Sequence, residues 1–146
     1  GELVITTLKK EGAPLIRYRT HDLTRFIPGE CKCGCKYPRI DTIIGRTDDM
    51  IKVKGVNIFP SQIEELLKDI DGASSEYQVI IDHLNGKDIL TLYVESESGV
   101  DKKELAKTIA EKFKHKIGIS IVVKAVDIGE LPRSEKKSTR IFDNRY

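Results

Sequence analysis

Four groups of side chains in this 146-residue chain are of types that do chemistry. Asp22 closes a strand-like run in R-Y-R-T-H-D-L. A carboxylate there can accept hydrogen bonds from the two vicinal hydroxyls of a ribose. It can equally satisfy the N–H groups of its own turn. Arg46 follows Gly45 in G-R-T-D-D-M-I-K-V-K-G-V-N-I-F-P. Its guanidinium is a planar donor fork, suited to ribose or phosphate oxygens or to a surface ion pair. Near the end, L-P-R-S-E-K-K-S-T-R-I places Lys136 and Lys137 in a basic, polar tail. A lysine there is either solvated with its tail or a mobile ammonium. In the second case it can orient two anions that repel and stabilise charge building on both. Cys31, Cys33 and Cys35 crowd into C-K-C-G-C. An odd count so tightly spaced is not a disulfide framework. It suits a reducing compartment, where clustered thiols serve metal or redox chemistry or neither.

The elements that must position these groups follow from periodicity. Residues 1–30 read as short strands broken by Gly12-Ala13-Pro14 and Pro28-Gly29. Residues 28–41 form the cysteine-rich loop, and strands follow at 42–44 and 50–53. Pro60 and the capping-box spacing Ser61 to Glu64 predict a helix. Ile63, Leu66, Leu67 and Ile70 make its apolar face, and Asp71-Gly72 stops it. Alternation over 77–82 and 90–94, around Asn85-Gly86, predicts a hairpin. Asp101 and Glu104 cap a second helix faced by Leu105, Ile109 and Phe113, and a last strand runs over 119–126. The order β-α-β-β-α-β over about 50–126 predicts an α+β fold of ferredoxin-like type, an antiparallel sheet with two helices on one face.

Length predicts one domain's worth of chain. A net charge of +2 gives no argument for nucleic acid or a membrane surface, and with no Trp and 6% aromatics a base-stacking platform is not expected. No run approaches the ~20 apolar residues of a membrane span. Gly1 opens directly into the strand-like run at 3–8, so the chain reads as a piece cut from within a larger fold.

The pattern R-Y-R-T-x-D-L, then G-R-x-D-D-x-I-K-x-x-G-x-x-I-x-P, resembles the linked motifs of adenylate-forming enzymes, the carboxylic acid:CoA ligases. The resemblance implies that Asp22 and Arg46 hold the ribose of ATP and that Asp48 is the hinge of a rotating small domain. It implies that the loop with Lys54, Gly55 and Asn57 lines the channel for the CoA pantetheine. His21 departs from the pattern, standing where many members have Gly. The ending is similar to the P-R-S-x-G-K of the phenylacetate–CoA ligase branch. Lys137 then matches the catalytic lysine, while Lys136 occupies the Gly position and leaves the register open between the two. C-x-C-G resembles a loop of the same branch in which paired cysteines take part in a zinc site, which assigns Cys31 and Cys33 to zinc.

On that resemblance, residues 1–45 end a large N-terminal domain and 46–146 form the mobile C-terminal domain. The latter has its core at about 50–126 and a catalytic-lysine tail at 130–146. The implied activity joins ATP, phenylacetate or another aryl acid, and CoA, with Mg2+ accompanying the nucleotide, through an acyl-adenylate. AMP and diphosphate leave. The implied partner is the large domain of the same enzyme. A homodimer and a cytoplasmic location are further expectations, and the fragment alone should be inactive. The competing expectation is a ferredoxin-like metal-carrying or ligand-sensing module whose working part is the cysteine cluster.

Overall fold

Val79 and Ile81 alternate along one run, Leu90, Leu92 and Val94 along the next, and all five are buried. They belong to β8 (Ala73–Leu84) and β9 (Lys87–Ser96), joined antiparallel through Asn85 and Gly86 at φ 51° and 75°. Two positive φ values make the primed turn whose twist matches the flanking strands. This hairpin is the centre of a computed structural model that describes residues 1–132 and 140–145. The chain divides into two units, residues 1–50 with 59–61, and residues 51–58 with 62–146.

In the first unit, β1 (Glu2–Ile5), β2 (Tyr18–Leu23) and β5 (Gly45–Arg46) form an antiparallel sheet in the order β1-β2-β5. A smaller ladder joins β3 (Phe26–Ile27) to β4 (Arg39–Ile40). Few apolar side chains are covered here. Leu8 is 92% exposed, Ile16 78%, Phe26 74% and Tyr37 82%.

In the second unit, β6 (Ile51–Val53) and β7 (Val56–Ile58) form a separate hairpin. Helix α1 (Pro60–Lys68) supplies Ile63, Leu66 and Leu67 to the core, and α2 (Lys102–Ile117) supplies Leu105, Ile109 and Phe113. These pack in one cluster with Tyr77, Val79 and Ile81 of β8 and Leu90, Leu92 and Val94 of β9. Asp101 caps α2, its Oδ1 accepting from the N–H of Lys103 at 2.8 Å and of Glu104 at 3.3 Å. Gly118, at φ 93°, ends it in the left-handed conformation that only glycine adopts without a Cβ penalty.

The sheet is mixed, in the order β10-β9-β8-β11, where β10 is Val122–Asp127 and β11 is Ile141–Asp143. β10 runs parallel to β9, and β11 parallel to β8. Two expectations are thereby corrected. The sheet is not wholly antiparallel, because α2 carries the chain back to the starting edge before β10 begins, as a parallel crossover requires. The strand at 51–53 does not enter this sheet; it folds back on 56–58, and β11 takes the place beside β8. A third correction is local. Ser61 does not cap α1, because the helix already begins at Pro60, whose fixed φ suits a first helical position. Ser61 Oγ donates instead to the carbonyl of Ile44 at 2.9 Å.

Candidate functional site

Asp22 and Arg46 are brought together by strand pairing. Their Cα atoms are partners across β2 and β5. Arg46 Nη1 lies 3.4 Å from Asp22 Oδ1 and donates to the carbonyl of Thr20 at 3.2 Å. The other side of the guanidinium forks onto Asp48, Nε to Oδ1 at 2.9 Å and Nη2 to Oδ2 at 2.7 Å. That two-point grip is the strong geometry for an Arg–carboxylate pair. Hydrogen bonding to Arg46 holds the Asp48 carboxyl below the ordinary carboxylate range, and the same bonds raise the Arg46 guanidinium. Arg46 stays 42% exposed and Asp48 47%, so both remain open to a ligand.

His21 sits at φ 66°, in the left-handed region that glycine serves elsewhere. Histidine is among the side chains that enter that region most readily. Its backbone N–H donates to Glu2 Oε1 at 3.2 Å, and its Nδ1 lies 3.2 Å from Thr47 Oγ1. The backbone turn ahead of Asp22 is therefore made without glycine. Gly45, just before Arg46, meets a different demand. A Cβ there would stand 2.8 Å from the ring of Phe59.

In the second unit, Lys54 and Gly55 form the turn of the β6–β7 hairpin, at φ 50° and 79°. Gly55 is exposed, and Asn57 faces Lys52 across the hairpin. Lys54 Nζ donates to the carbonyl of Ser120 at 3.0 Å. An open cavity of ≈ 520 Å³ is lined by Lys54, His83, Gly86, Lys87 and Asp88.

Lys136 and Lys137 lie outside the described residues. The chain on both sides of them is pinned. Before them, the Leu131 N–H donates at 3.2 Å to Glu95 Oε1, a carboxylate with 0% exposure. After them, Arg140 lies over the Tyr77 ring, 4.9 Å from its centroid, and pairs with Glu64 at 3.4 Å and Glu76 at 3.5 Å. Burial, with the nearby Glu64 charge, pushes the Tyr77 phenol up to about 12. Arg145 then fixes β11. It donates to the carbonyl of Lys52 at 2.9 Å, to Asp88 at 2.8 Å and to Asp143 at 2.7 Å. Glu95, Arg140 and Arg145 are not apparent as site-supporting residues from sequence. The spacing Asp143-x-Arg145, an opposite-charge pair two residues apart at the end of β11, is the signal that was available for the last.

The cysteine pair that the family resemblance assigns to zinc lies on the connection between β3 and β4. Cys31 and Cys33 Sγ atoms lie 2.9 Å apart. Among the described residues, no group of three or more His, Cys, Asp or Glu side chains comes together to hold a metal. The two sulfurs supply half of the four ligands that a tetrahedral zinc takes.

A family model for the AMP-binding enzyme C-terminal domain matches residues 55–145, more than half of the chain. The chain belongs to the AMP-binding enzyme C-terminal domain family. Across 99% of its length this AMP-binding domain chain is 41% identical to the phenylacetate-coenzyme A ligase of Escherichia coli (strain K12), of which it covers 34%. It thus spans about a third of the length of the curated relatives it matches. Among solved structures, it resembles a 2-hydroxyisobutyryl-CoA ligase in the postadenylation state with R3-HIB-AMP. The TM-score is 0.83 at 30% identity, covering 99% of this chain and 32% of that one. It also resembles a domain of phenylacetate-coenzyme A ligase from Bacteroides vulgatus ATCC 8482. There the TM-score is 0.60 at 34% identity, covering 68% of this chain and 95% of that one.

Proposed function

We propose that this chain is the C-terminal part of an acyl-adenylate-forming CoA ligase whose acid is phenylacetate or a close aryl acid. The observation that carries the proposal is the Asp22–Arg46 pair, set face to face on β2 and β5 in a chain 41% identical to a phenylacetate–CoA ligase. Asp22 accepts from the ribose hydroxyls of ATP, and Arg46 donates to ribose oxygens while gripping Asp48. Asp48 is the hinge. Lys137 is the ammonium that meets the acid carboxylate and the α-phosphate, with Lys136 as the alternative register.

In the first half-reaction, a carboxylate oxygen of the acid attacks the α-phosphorus of ATP. The bond to the bridging oxygen breaks, diphosphate leaves, and the acyl-adenylate remains. Mg2+ bound with the nucleotide would offset part of its charge. Lys137 stabilises the negative charge that builds on both reactants, where a positioned cation contributes most. In the second half-reaction, the CoA thiol loses its proton and its sulfur attacks the acyl carbon. AMP leaves and the thioester forms. The Lys54–Gly55 turn and Asn57 line the pantetheine path, and rotation about Asp48 exchanges this loop for the lysine. The basic lining of the cavity at Lys54 and Lys87 supports an anionic neighbour such as the CoA phosphates.

The implied partner is the large N-terminal domain of the same enzyme. The exposed apolar side chains of the first unit, Leu8, Ile16, Phe26 and Tyr37 among them, support that partner, since single domains seldom leave so many uncovered together. Among the described residues no helix is long and apolar enough to cross a membrane, and the cytoplasm, where ATP and CoA are supplied, is the proposed location. A homodimer of the whole enzyme is part of the same reading. The reading is tested by exchange of labelled diphosphate into ATP by the full-length ligase, screened against aryl and alkyl acids. Exchange that depends on phenylacetate or a close aryl acid is expected. A folded enzyme showing none with any acid would overturn the proposal. The isolated chain should bind ATP weakly or not at all, and calorimetry giving a micromolar Kd for it would count against a divided site.

A further inference from the structure

The cavity of ≈ 520 Å³ lies between two hairpins. The β6–β7 turn supplies Lys54 to it, and the β8–β9 hairpin supplies His83, Gly86, Lys87 and Asp88. We propose that Arg145 is a positioning residue for the thioester half-reaction. Its guanidinium fixes the β6–β7 turn against the β8–β9 hairpin and so sets the cleft that CoA enters. The proposal rests on the ligase reading, in which that turn lines the pantetheine path. A two-stranded hairpin is marginal by itself, and β6 and β7 form a two-stranded sheet of their own. Ile51, Val53 and Ile58 anchor its inner face in the core. In a hairpin closed by a two-residue turn, the residues flanking the turn exchange hydrogen bonds and the next pair does not. Here the flanking pair is Val53 and Val56, and the next is Lys52 and Asn57. The Lys52 carbonyl is therefore turned away from the hairpin, open to a donor from elsewhere.

Arg145 is that donor. Its Nη1 donates to the Lys52 carbonyl at 2.9 Å and to Asp88 Oδ2 at 2.8 Å, so a single nitrogen joins the two hairpins. Nε and Nη2 hold Asp143 at 2.8 and 2.7 Å, a two-point grip that fixes the plane of the guanidinium. Just ahead of it, the Asn144 N–H donates to the Ile81 carbonyl at 2.8 Å, and Asn144 Nδ2 donates to Asp82 Oδ1 at 2.9 Å. These bonds fasten the backbone before Arg145 to β8. His83 Nδ1 lies 2.8 Å from Asp88 Oδ1, so Asp88 is held from its other side. The Arg145 side chain is only 13% exposed, and it acts as a strut behind the cavity. A planar fork makes these bonds together; an ammonium has no such fixed set of directions. All of these residues belong to the second unit.

The test uses the full-length ligase carrying Arg145→Gln. Thioester formation from supplied phenylacetyl-adenylate should fall on the order of ten- to a hundredfold, the scale of a slight misplacement of a positioning group. The KM for CoA should rise with it. Phenylacetate-dependent exchange of diphosphate into ATP should stay near wild type, which a general loss of stability would not allow. Amide hydrogen exchange should quicken at Val53 and Val56 while the amides of α2 keep their rates. Arg145→Lys retains the charge between Asp88 and Asp143; should Arg145→Gln fail to fold, it carries the same measurements and the same expectation. Equal loss in both half-reactions, an unchanged response to CoA, or unchanged hydrogen exchange at Val53 and Val56 would overturn the proposal and leave the ligase reading intact. A folded wild-type enzyme without acid-dependent diphosphate exchange would overturn that reading, and the role in thioester formation with it.

Discussion

Arg46 reaches Asp22 and Asp48 at once. Its Nη1 lies 3.4 Å from Asp22 Oδ1, while Nε and Nη2 grip Asp48 at 2.9 and 2.7 Å. One guanidinium thus ties the carboxylate assigned to the ribose to the carboxylate assigned to the hinge. Only a forked donor does this; an ammonium is a point charge that would serve one carboxylate well and the other poorly.

Arg46→Lys in the full-length ligase should therefore raise the KM for ATP. An ammonium in place of the fork loses at least one charge-assisted hydrogen bond to the nucleotide or to its supporting carboxylate. Initial-rate kinetics with ATP varied at saturating acid would show it. An unchanged KM would place the nucleotide elsewhere.

Gly45→Ala should destabilise the first unit. The added methyl would meet Phe59 Cδ1 at 2.8 Å, Cγ at 3.0 Å and Cβ at 3.1 Å, and Phe59 is only 9% exposed. Forcing a buried ring aside costs about 1–3 kcal/mol. Urea unfolding of the chain, compared with wild type, gives the value. Phe59→Leu combined with Gly45→Ala should recover part of the loss.

Stability should fall in acid. Hydrogen bonding to Arg46 lowers Asp48, Arg25 lowers Asp41, and Arg145 lowers Asp143; His83 and then Arg145 lower Asp88. Each folded value lies below the unfolded one, so each contribution is complete above the ordinary carboxylate range, near pH 4. It is lost as pH falls through the folded values. Melting temperature should drop from about pH 4 downward, and Arg145→Gln should flatten that drop by freeing Asp143 and leaving Asp88 to His83 alone. Because the groups are exposed, added salt should shrink the effect. A melting temperature indifferent to acid would contradict these pairings.

Local signals in the sequence read through to the fold. Asn85-Gly86, the Asp101 cap and the apolar faces of α1 and α2 depend on neighbours within a few residues, and each stands where periodicity puts it. The departures are non-local. Whether 51–53 pairs with 56–58 or joins the main sheet depends on whether β11, far along the chain, takes the place beside β8. Asp22 and Arg46 were legible as candidates, but their contact needs the register of β2 on β5. Cys31 and Cys33 were legible as a pair from their spacing, but the 2.9 Å contact between their sulfurs needs the turn at Gly34.

The central claim is that this chain supplies the cation of adenylation and the grip on its nucleotide. The most direct measurement separates the two half-reactions in full-length Lys137→Ala, with Lys136→Ala beside it. Phenylacetate-dependent exchange of diphosphate into ATP should fall by about a hundredfold or more in Lys137→Ala, the scale of losing one transition-state charge contact. Thioester formation from supplied phenylacetyl-adenylate should stay near wild type. Equal loss in both half-reactions, or full exchange activity in both variants, would contradict the account.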